Sequence, residues 1–181
     1  AGFTAAKILH NLGFSVVAVS DSRGTLYVKD GLNPEDVMAV KKDKGSVISS
    51  AKDSSETLEG EDILFLPVDV LIPAAIDGVI TKENANNVKA KIVAEGANGP
   101  LTREAIDIIT ARGGFIIPDI LCNAGGVIVS YFEWIQNRTV SSWVEEKVTK
   151  ELKRIITTAY HEVVEISRES NIDMRLACYI K

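Results

Sequence analysis

The sequence alternates short β-branched apolar runs with polar, end-marked helical segments, and no other feature narrows its possible folds as much. Four runs stand out: residues 14–22 "FSVVAVSDS", 68–75 "VDVLIPAA", 91–100 "KIVAEGANGP" and 115–120 "FIIPDI". Each is apolar on both alternating positions at its centre, as strands covered on both faces are. Each ends in Gly, Pro, Asn, Asp or Ser, the residues that turn a chain. Between them lie helical patterns. "TAAKILHNLG" stops at Gly13, a C′ glycine, and "NPEDVMAVKKDKG" opens on Asn33 as N-cap and Pro34 at the first helical position and closes on lysines before Gly45. "TKENANNV", starting at Thr81, reads as a short helix and "TREAIDIITARGG" as a longer one. Strand–helix alternation demands crossover connections, which are right-handed and cover a parallel sheet on both faces. The expected fold is therefore a doubly wound α/β sheet, Rossmann-type, formed by one domain over residues 1–181.

Two stretches depart from that alternation. Residues 46–60 offer little to bury and read as surface loop with one helical turn. After residue 124 the strands stop, and "GGVIVSYFEWIQN" and "SSWVEEKVTKELKRIITTAYHEVVEISRES" read as C-terminal helices. Ser142 and Glu145 form a capping-box pattern, and Val144, Val148, Leu152, Ile155, Ala159 and Val163 form one apolar stripe. The chain opens in a helical pattern and ends on "MRLACYIK" without a helix stop, so it reads as a domain cut at both ends.

Charge and cysteine content set aside several functions. Twenty basic against 25 acidic residues give a net charge of −5, with no Lys/Arg block to draw a nucleic acid or an anionic membrane. Cys122 and Cys178 lie far apart with no metal-ligand spacing, which argues against a metal site and for a reducing, cytoplasmic setting.

In an open parallel sheet, ligands bind at the carboxyl ends of the strands. Those ends carry Asp21-Ser22, Pro73-Ala74-Ala75, Glu95-Gly96-Ala97-Asn98 and Pro118-Asp119 followed by Asn123. The set is rich in small and amide side chains and poor in acid/base pairs, which suits holding a flat cofactor. Gly2 and Asp21 have the separation of about 20 residues between a glycine turn and the acidic residue that receives the adenosine ribose of a dinucleotide. Asp21 reads equally well as a turn cap. Asn98 in "ANGP" is also a plain turn residue, and Ser130 in an apolar helix ordinarily back-bonds to a carbonyl. Cys122 reads as a small buried hydrophobe, His10 and His161 as packing or solvent-facing residues, and the Glu/Lys alternation of 145–154 as a solvated helix face.

"VVAVSDSRG", "VDVLIPAAI", "KAKIVAEGANGPLT" and "PDILCNAGGVIVSYFEW", in this order, resemble the cofactor-binding domain of the glutamate dehydrogenases, within the Glu/Leu/Phe/Val amino-acid dehydrogenase family. The resemblance implies a domain that binds NAD or NADP and forms one wall of a cleft where L-glutamate is deaminated to 2-oxoglutarate and ammonium. By motif, Gly2 belongs to the cofactor fingerprint, Asp21 and Ser22 lie near the adenosine ribose, and Ala74 and Ala75 line the dinucleotide groove. Asn98 and Asn123 contact the nicotinamide side, Ser130 bonds the substrate side-chain carboxylate and Val127 packs beside it. Asn123, Val127, Ser130 and Trp134 also follow one helical stripe. The family's first strand precedes Ala1, and its catalytic lysine and aspartate lie in another domain, so no catalytic residue is expected here. The resemblance further implies a homohexamer. Two other readings fit the same residues: a stand-alone dinucleotide-binding or regulatory module, and a leucine- or phenylalanine-type dehydrogenase domain.

Overall fold

The computed structural model describes all 181 residues. In chain order, helix α1 (Gly2–Asn11) leads to strands β1 (Ala18–Asp21) and β2 (Gly24–Tyr27), helix α2 (Pro34–Lys44) and strand β3 (Glu56–Leu58). Strands β4 (Val70–Leu71) and β5 (Ile92–Ala94), helix α3 (Arg103–Ala111) and strand β6 (Phe115–Ile117) follow. The helices α4 (Asp119–Cys122), α5 (Gly125–Thr139), α6 (Glu145–Ser170) and α7 (Met174–Ile180) close the chain. The class is α/β, with a parallel sheet and a C-terminal helical layer.

The local signals at α2 act as written. The Asn33 side chain accepts from the Glu35 and Asp36 N–H groups, Pro34 takes the first helical position, and Gly45 closes the helix at φ 82°. Thr102 caps α3 in the same way by accepting from the Ala105 N–H. The Ser142–Glu145 capping box does not form: α6 begins at Glu145, with Val144 at the cap and no side-chain bond. The segment between them is held elsewhere, because the Trp143 N–H donates to Gln136 Oε1 at 2.6 Å and the indole packs on Phe132. Val144 is consequently exposed, while Val163 farther along the stripe is buried against Leu121, Met174 and Ala177. The expected helix at 81–88 shrinks to one 3-10 turn, Ala85–Asn87.

The strands form two three-stranded sheets. β4, β5 and β6 are parallel, with Val93 paired to Leu71 on one side and Ile116 on the other. α3 lies against this sheet, and Ile80, Val93, Ala105 and Ile109 are completely buried there. Each branched side chain removed from water contributes roughly 1.5–3 kcal/mol, so this is the dominant core. β1, β2 and β3 are antiparallel, which corrects the reading of 14–22 as a parallel strand. Asp21 and Gly24 pair across a two-residue turn, and the Arg23 N–H donates to Asp21 Oδ1 at 3.0 Å. Gly24 sits at φ 147°, and a Cβ there would stand 2.9 Å from the Leu58 carbonyl oxygen. "DSRG" is thus a hairpin, and the loop reading of 46–60 misses β3.

The remaining edges of β1 and β4 have no strand partner. Both border an apolar groove of about 580 Å³, lined by α1, by residues 14–20, by α2 and by residues 66–72. No helix is long and apolar enough to cross a membrane.

Candidate functional site

At the carboxyl ends of the parallel strands the chain places small residues in a row. Gly2 opens α1 beside the end of β4, where a Cβ on it would lie 3.7 Å from Ala74 Cβ. A Cβ on Gly96, just after β5, would lie 3.0 Å from Ala74 Cβ and 3.4 Å from the Pro73 oxygen. That spacing follows from the Ala97 N–H donating to the Pro73 oxygen at 2.9 Å, which draws the two strand ends together. Gly2, Ala74 and Ala75 all line the 580 Å³ groove, so the structure brings these three sequence candidates together. Gly96→Ala is expected to destabilise the chain by about 1–3 kcal/mol through overpacking. Gly126→Ala, where a Cβ meets nothing within 4 Å, should be neutral or stabilising. Thermal melting of the two variants side by side checks this.

Asn98 and Asn123 also meet, although 25 residues separate them. Asn123 Nδ2 donates to Asn98 Oδ1 at 2.6 Å. Neither side chain makes another protein hydrogen bond, so the pair presents the Asn98 amide donors and the Asn123 carbonyl acceptor side by side. A primary carboxamide, which carries one acceptor and one NH₂ donor group, is complementary to that arrangement.

Beyond Asn123 the chain enters α5. Asn123 itself lies at the end of α4 rather than on α5, so the helical stripe begins at Val127. Val127 is 75% exposed, and Ser130, Tyr131 and Trp134 are exposed with it. The opposite side is anchored: Phe132 is buried, and Gly125 faces Leu152 and Ile156 of α6. Gln136 and Thr139 on the same helix back-bond to carbonyls, but the Ser130 hydroxyl has no intramolecular partner. The ordinary structural role for an intrahelical serine is therefore not used.

Asp21 is not an open acceptor, because its carboxylate is engaged within the protein. Oδ1 accepts from Arg23 N–H and Ser46 Oγ, both at 3.0 Å, and Oδ2 from Lys41 Nζ at 2.8 Å and Val47 N–H at 2.9 Å. The carboxylate is 9% exposed and all four lone-pair directions are occupied. Burial pushes its pKa up, but the Lys41 ammonium and the other three donors outweigh this and hold it well below the ordinary aspartate range. The turn-cap reading is the one realised, and the neighbouring Ser22 is exposed.

Directly beneath the asparagine pair lies a charged cluster, in which the strand-end residues Glu95 and Asp119 meet Arg175, a residue the sequence reading did not single out. Glu95, at the end of β5, is completely buried, and its Oε2 accepts from the Asp119 N–H at 2.8 Å and from Arg175 of α7. Arg175 Nη1 also donates to Asp119 Oδ1 at 2.7 Å. Asp119 Oδ2 accepts from the Gly99 N–H at 2.7 Å. Burial raises the Glu95 pKa despite the Asp119 N–H and Arg175. Burial also pushes Asp119 up, but the Gly99 N–H and Arg175 prevail and its pKa is lowered. The Cys122 thiol is pushed up, by burial first and then by the charges of Glu95 and Asp119, which leaves it a poor nucleophile. No group of three or more His, Cys, Asp or Glu side chains is placed to hold a metal ion.

Known proteins share this arrangement of elements. The family model described as Glutamate/Leucine/Phenylalanine/Valine dehydrogenase matches residues 1–181. An NADP-specific glutamate dehydrogenase A1 of Halobacterium salinarum is 45% identical over 181 residues, 99% of this chain and 43% of that protein. An NAD-specific glutamate dehydrogenase of Staphylococcus aureus is 42% identical over 180 residues, again 99% and 43%. A crystal structure of a hetero-hexameric glutamate dehydrogenase from Thermus thermophilus, in its Leu-bound form, superimposes with a TM-score of 0.89 at 29% identity, covering 98% of this chain and 41% of that one. The chain thus spans less than half the length of the relatives it matches.

Proposed function

Because the chain belongs to the Glu/Leu/Phe/Val dehydrogenase family, we propose that it is the NAD(P)-binding part of a glutamate dehydrogenase, which converts L-glutamate, NAD(P)⁺ and water to 2-oxoglutarate, ammonium and NAD(P)H. The observation that carries the reading is the Asn98–Asn123 pair, which offers a donor and an acceptor at the strand ends beside the exposed Val127–Ser130 face.

A dinucleotide fits what is present. The row formed by Gly2, Ala74 and Gly96 leaves the backbone approachable, as a pyrophosphate needs, and the asparagine pair matches a nicotinamide carboxamide. Ala75 continues the groove wall. Ser22, beside Asp21, is free to meet the adenosine ribose, while Asp21 keeps the turn that presents it. When bound, the coenzyme supplies the hydride acceptor. This chain's own residues then orient the reactants: Asn98 and Asn123 fix the carboxamide, Ser130 donates to the glutamate side-chain carboxylate, and Val127 covers its methylenes. An apolar substrate side chain would leave the Ser130 hydroxyl unpaired, which favours glutamate over leucine or phenylalanine.

The unpaired edges of β1 and β4 support one further element of the reading. A strand preceding Ala1, where the family has its first, would fill the apolar groove and join the two sheets into one. The whole protein is proposed to assemble as a homohexamer, sharing the subunit number but not the mixed composition of the hetero-hexameric Thermus relative, and to work in the cytoplasm, where its two free thiols are stable.

Calorimetric titration of the chain with NADH and NADPH tests the proposal. Binding of at least one, weakened by Asn98→Ala and Asn123→Ala, is expected. Equal affinity in wild type and both variants would remove the asparagine pair from the site.

A further inference from the structure

We propose that Arg175 is a positioning residue, which holds Asn98 and Asn123 in register with one another by clamping Asp119 against Glu95. The proposal rests on the functional reading above only in what the asparagines bind.

The geometry converges on Asp119. Its side chain accepts from the Gly99 N–H, the amide that follows Asn98, at 2.7 Å. Its backbone carbonyl accepts from the Asn123 N–H at 2.9 Å, and its Oδ1 from the Ile120 N–H at 2.8 Å. One residue therefore fixes the peptide backbone beside both asparagines. Asp119 is in turn fixed from two sides: its N–H donates to Glu95 Oε2 at 2.8 Å, and its Oδ1 receives Arg175 Nη1 at 2.7 Å. Arg175 closes the ring through Nη2 to Glu95. With the end of β5, the first residue of α4, and α7 each contributing one member, the ring can lock only when α7 is docked.

The side chains are enclosed rather than solvated. Glu95 is 0% exposed, Asp119 17% and Arg175 18%. A planar guanidinium presents two parallel N–H vectors to two different carboxylates, which a lysine ammonium cannot do in one fixed orientation. Two carboxylates this close would repel one another without the cation between them. Removing Arg175 therefore releases Asp119 to rotate away, and the Gly99 amide with it.

Arg103 supplies the control. It ties α3 to α7 through Asp173 at 3.3 Å, outside the ring. The test follows the side-chain amide resonances of Asn98 and Asn123 by NMR in wild type, Arg175→Ala, Arg175→Gln, Arg175→Lys and Arg103→Ala, together with NADH affinity. In Arg175→Gln the two amides should move toward the shifts of free asparagine, and NADH affinity should fall about tenfold, by analogy with the lower end of the loss when a residue supporting a metal ligand is removed. Arg175→Lys should fall between, and remains informative if Arg175→Ala does not fold. Arg103→Ala should leave the amides unchanged. Unchanged amide signals in Arg175→Gln, or the same change in Arg103→Ala at matched stability, would overturn the proposal. A wild-type chain that binds no NADH would count against the functional reading alone, because the amide signals decide the positioning role without ligand.

Discussion

Mixed with L-glutamate and either NAD⁺ or NADP⁺, the 181-residue chain is expected to form no reduced coenzyme above background, even under conditions where it binds NADH. The reason is the chemistry of the exposed face. Oxidative deamination must remove a proton from the substrate ammonium and later activate water, and positioned acid/base groups typically contribute about 10²–10⁴-fold to such steps. Around the asparagine pair the structure offers amides and a hydroxyl, none of which titrates near neutrality. The ionisable groups beneath the asparagine pair are committed: Glu95 is sealed below the site, Asp119 is ion-paired to Arg175 and the Cys122 thiol is held protonated. Closure matters equally, since a single wall leaves the reacting atoms in water, where electrostatic stabilisation is weak. Under the proposed function those groups lie outside these residues, which match only 43% of the Halobacterium relative's length. Absorbance of the reduced nicotinamide, followed with and without glutamate, checks this. Sustained glutamate-dependent turnover would mean that the chain itself supplies the base.

How much of this was legible in the sequence depended on the range of the interaction. Asn33, Pro34 and Gly45 act within one helix, and their residue types alone announce the two ends of α2. The β-branched centres of β4, β5 and β6 are legible for the same reason, since continuous apolar runs mark strands buried on both faces. β2 and β3 are not: "GTLY" and "ETL" are short, and their strand character comes from pairing with each other and with β1. The absence of a capping bond at α6 was equally hidden, because Trp143 is captured by Gln136 and Phe132 across a turn.

The site divides in the same way. Asn98 and Asn123 were found by motif, but their mutual hydrogen bond exists only because β5 and β6 run side by side and bring their trailing loops together. Asp21 fits a turn cap and a ribose acceptor equally well in sequence, because Lys41, Ser46 and Val47, which engage it in the fold, lie 20 to 26 residues away. Glu95, Asp119 and Arg175 did leave a signal. A glutamate following "KIVA" and an arginine inside "MRLACYI" are charges within apolar runs, and such charges are rarely buried unless paired. Pairing them, however, required knowing that α7 returns to the end of β5.

Glu95→Ala is expected to be the most damaging single change in the chain, costing about 3–5 kcal/mol, the range for removing one partner of a buried ion pair. Against a total stability on the order of 5–15 kcal/mol, that places the variant near unfolding at ordinary temperature. The Asp119 N–H would lose its acceptor and Arg175 one of its two carboxylates, with nothing of suitable shape to replace them. Glu95→Gln should cost far less, since its carbonyl oxygen can accept from both donors and its NH₂ takes the place of Oε1, which has no partner in wild type. The two variants also carry opposite information about charge. Burial, opposed by the Asp119 N–H and Arg175 and reinforced by the Asp119 charge, raises the Glu95 pKa above the ordinary 4.5. Its favourable contribution is therefore complete below that value and declines as pH rises through the folded-state pKa. Asp119 and Asp21 run the other way: their pKa values are lowered, so their contribution is present above 3.8 and is lost as pH falls through the folded-state values. The deficit of Glu95→Gln relative to wild type should thus shrink as pH rises from about 4.5 toward neutrality, because the variant has no carboxylate to desolvate. Urea unfolding of wild type and both variants across that pH range is the measurement. A deficit that grows with pH would show that Glu95 is held in the fold as a favoured anion, and a Glu95→Ala chain within about 1 kcal/mol of wild type would show that the ring contributes little to stability.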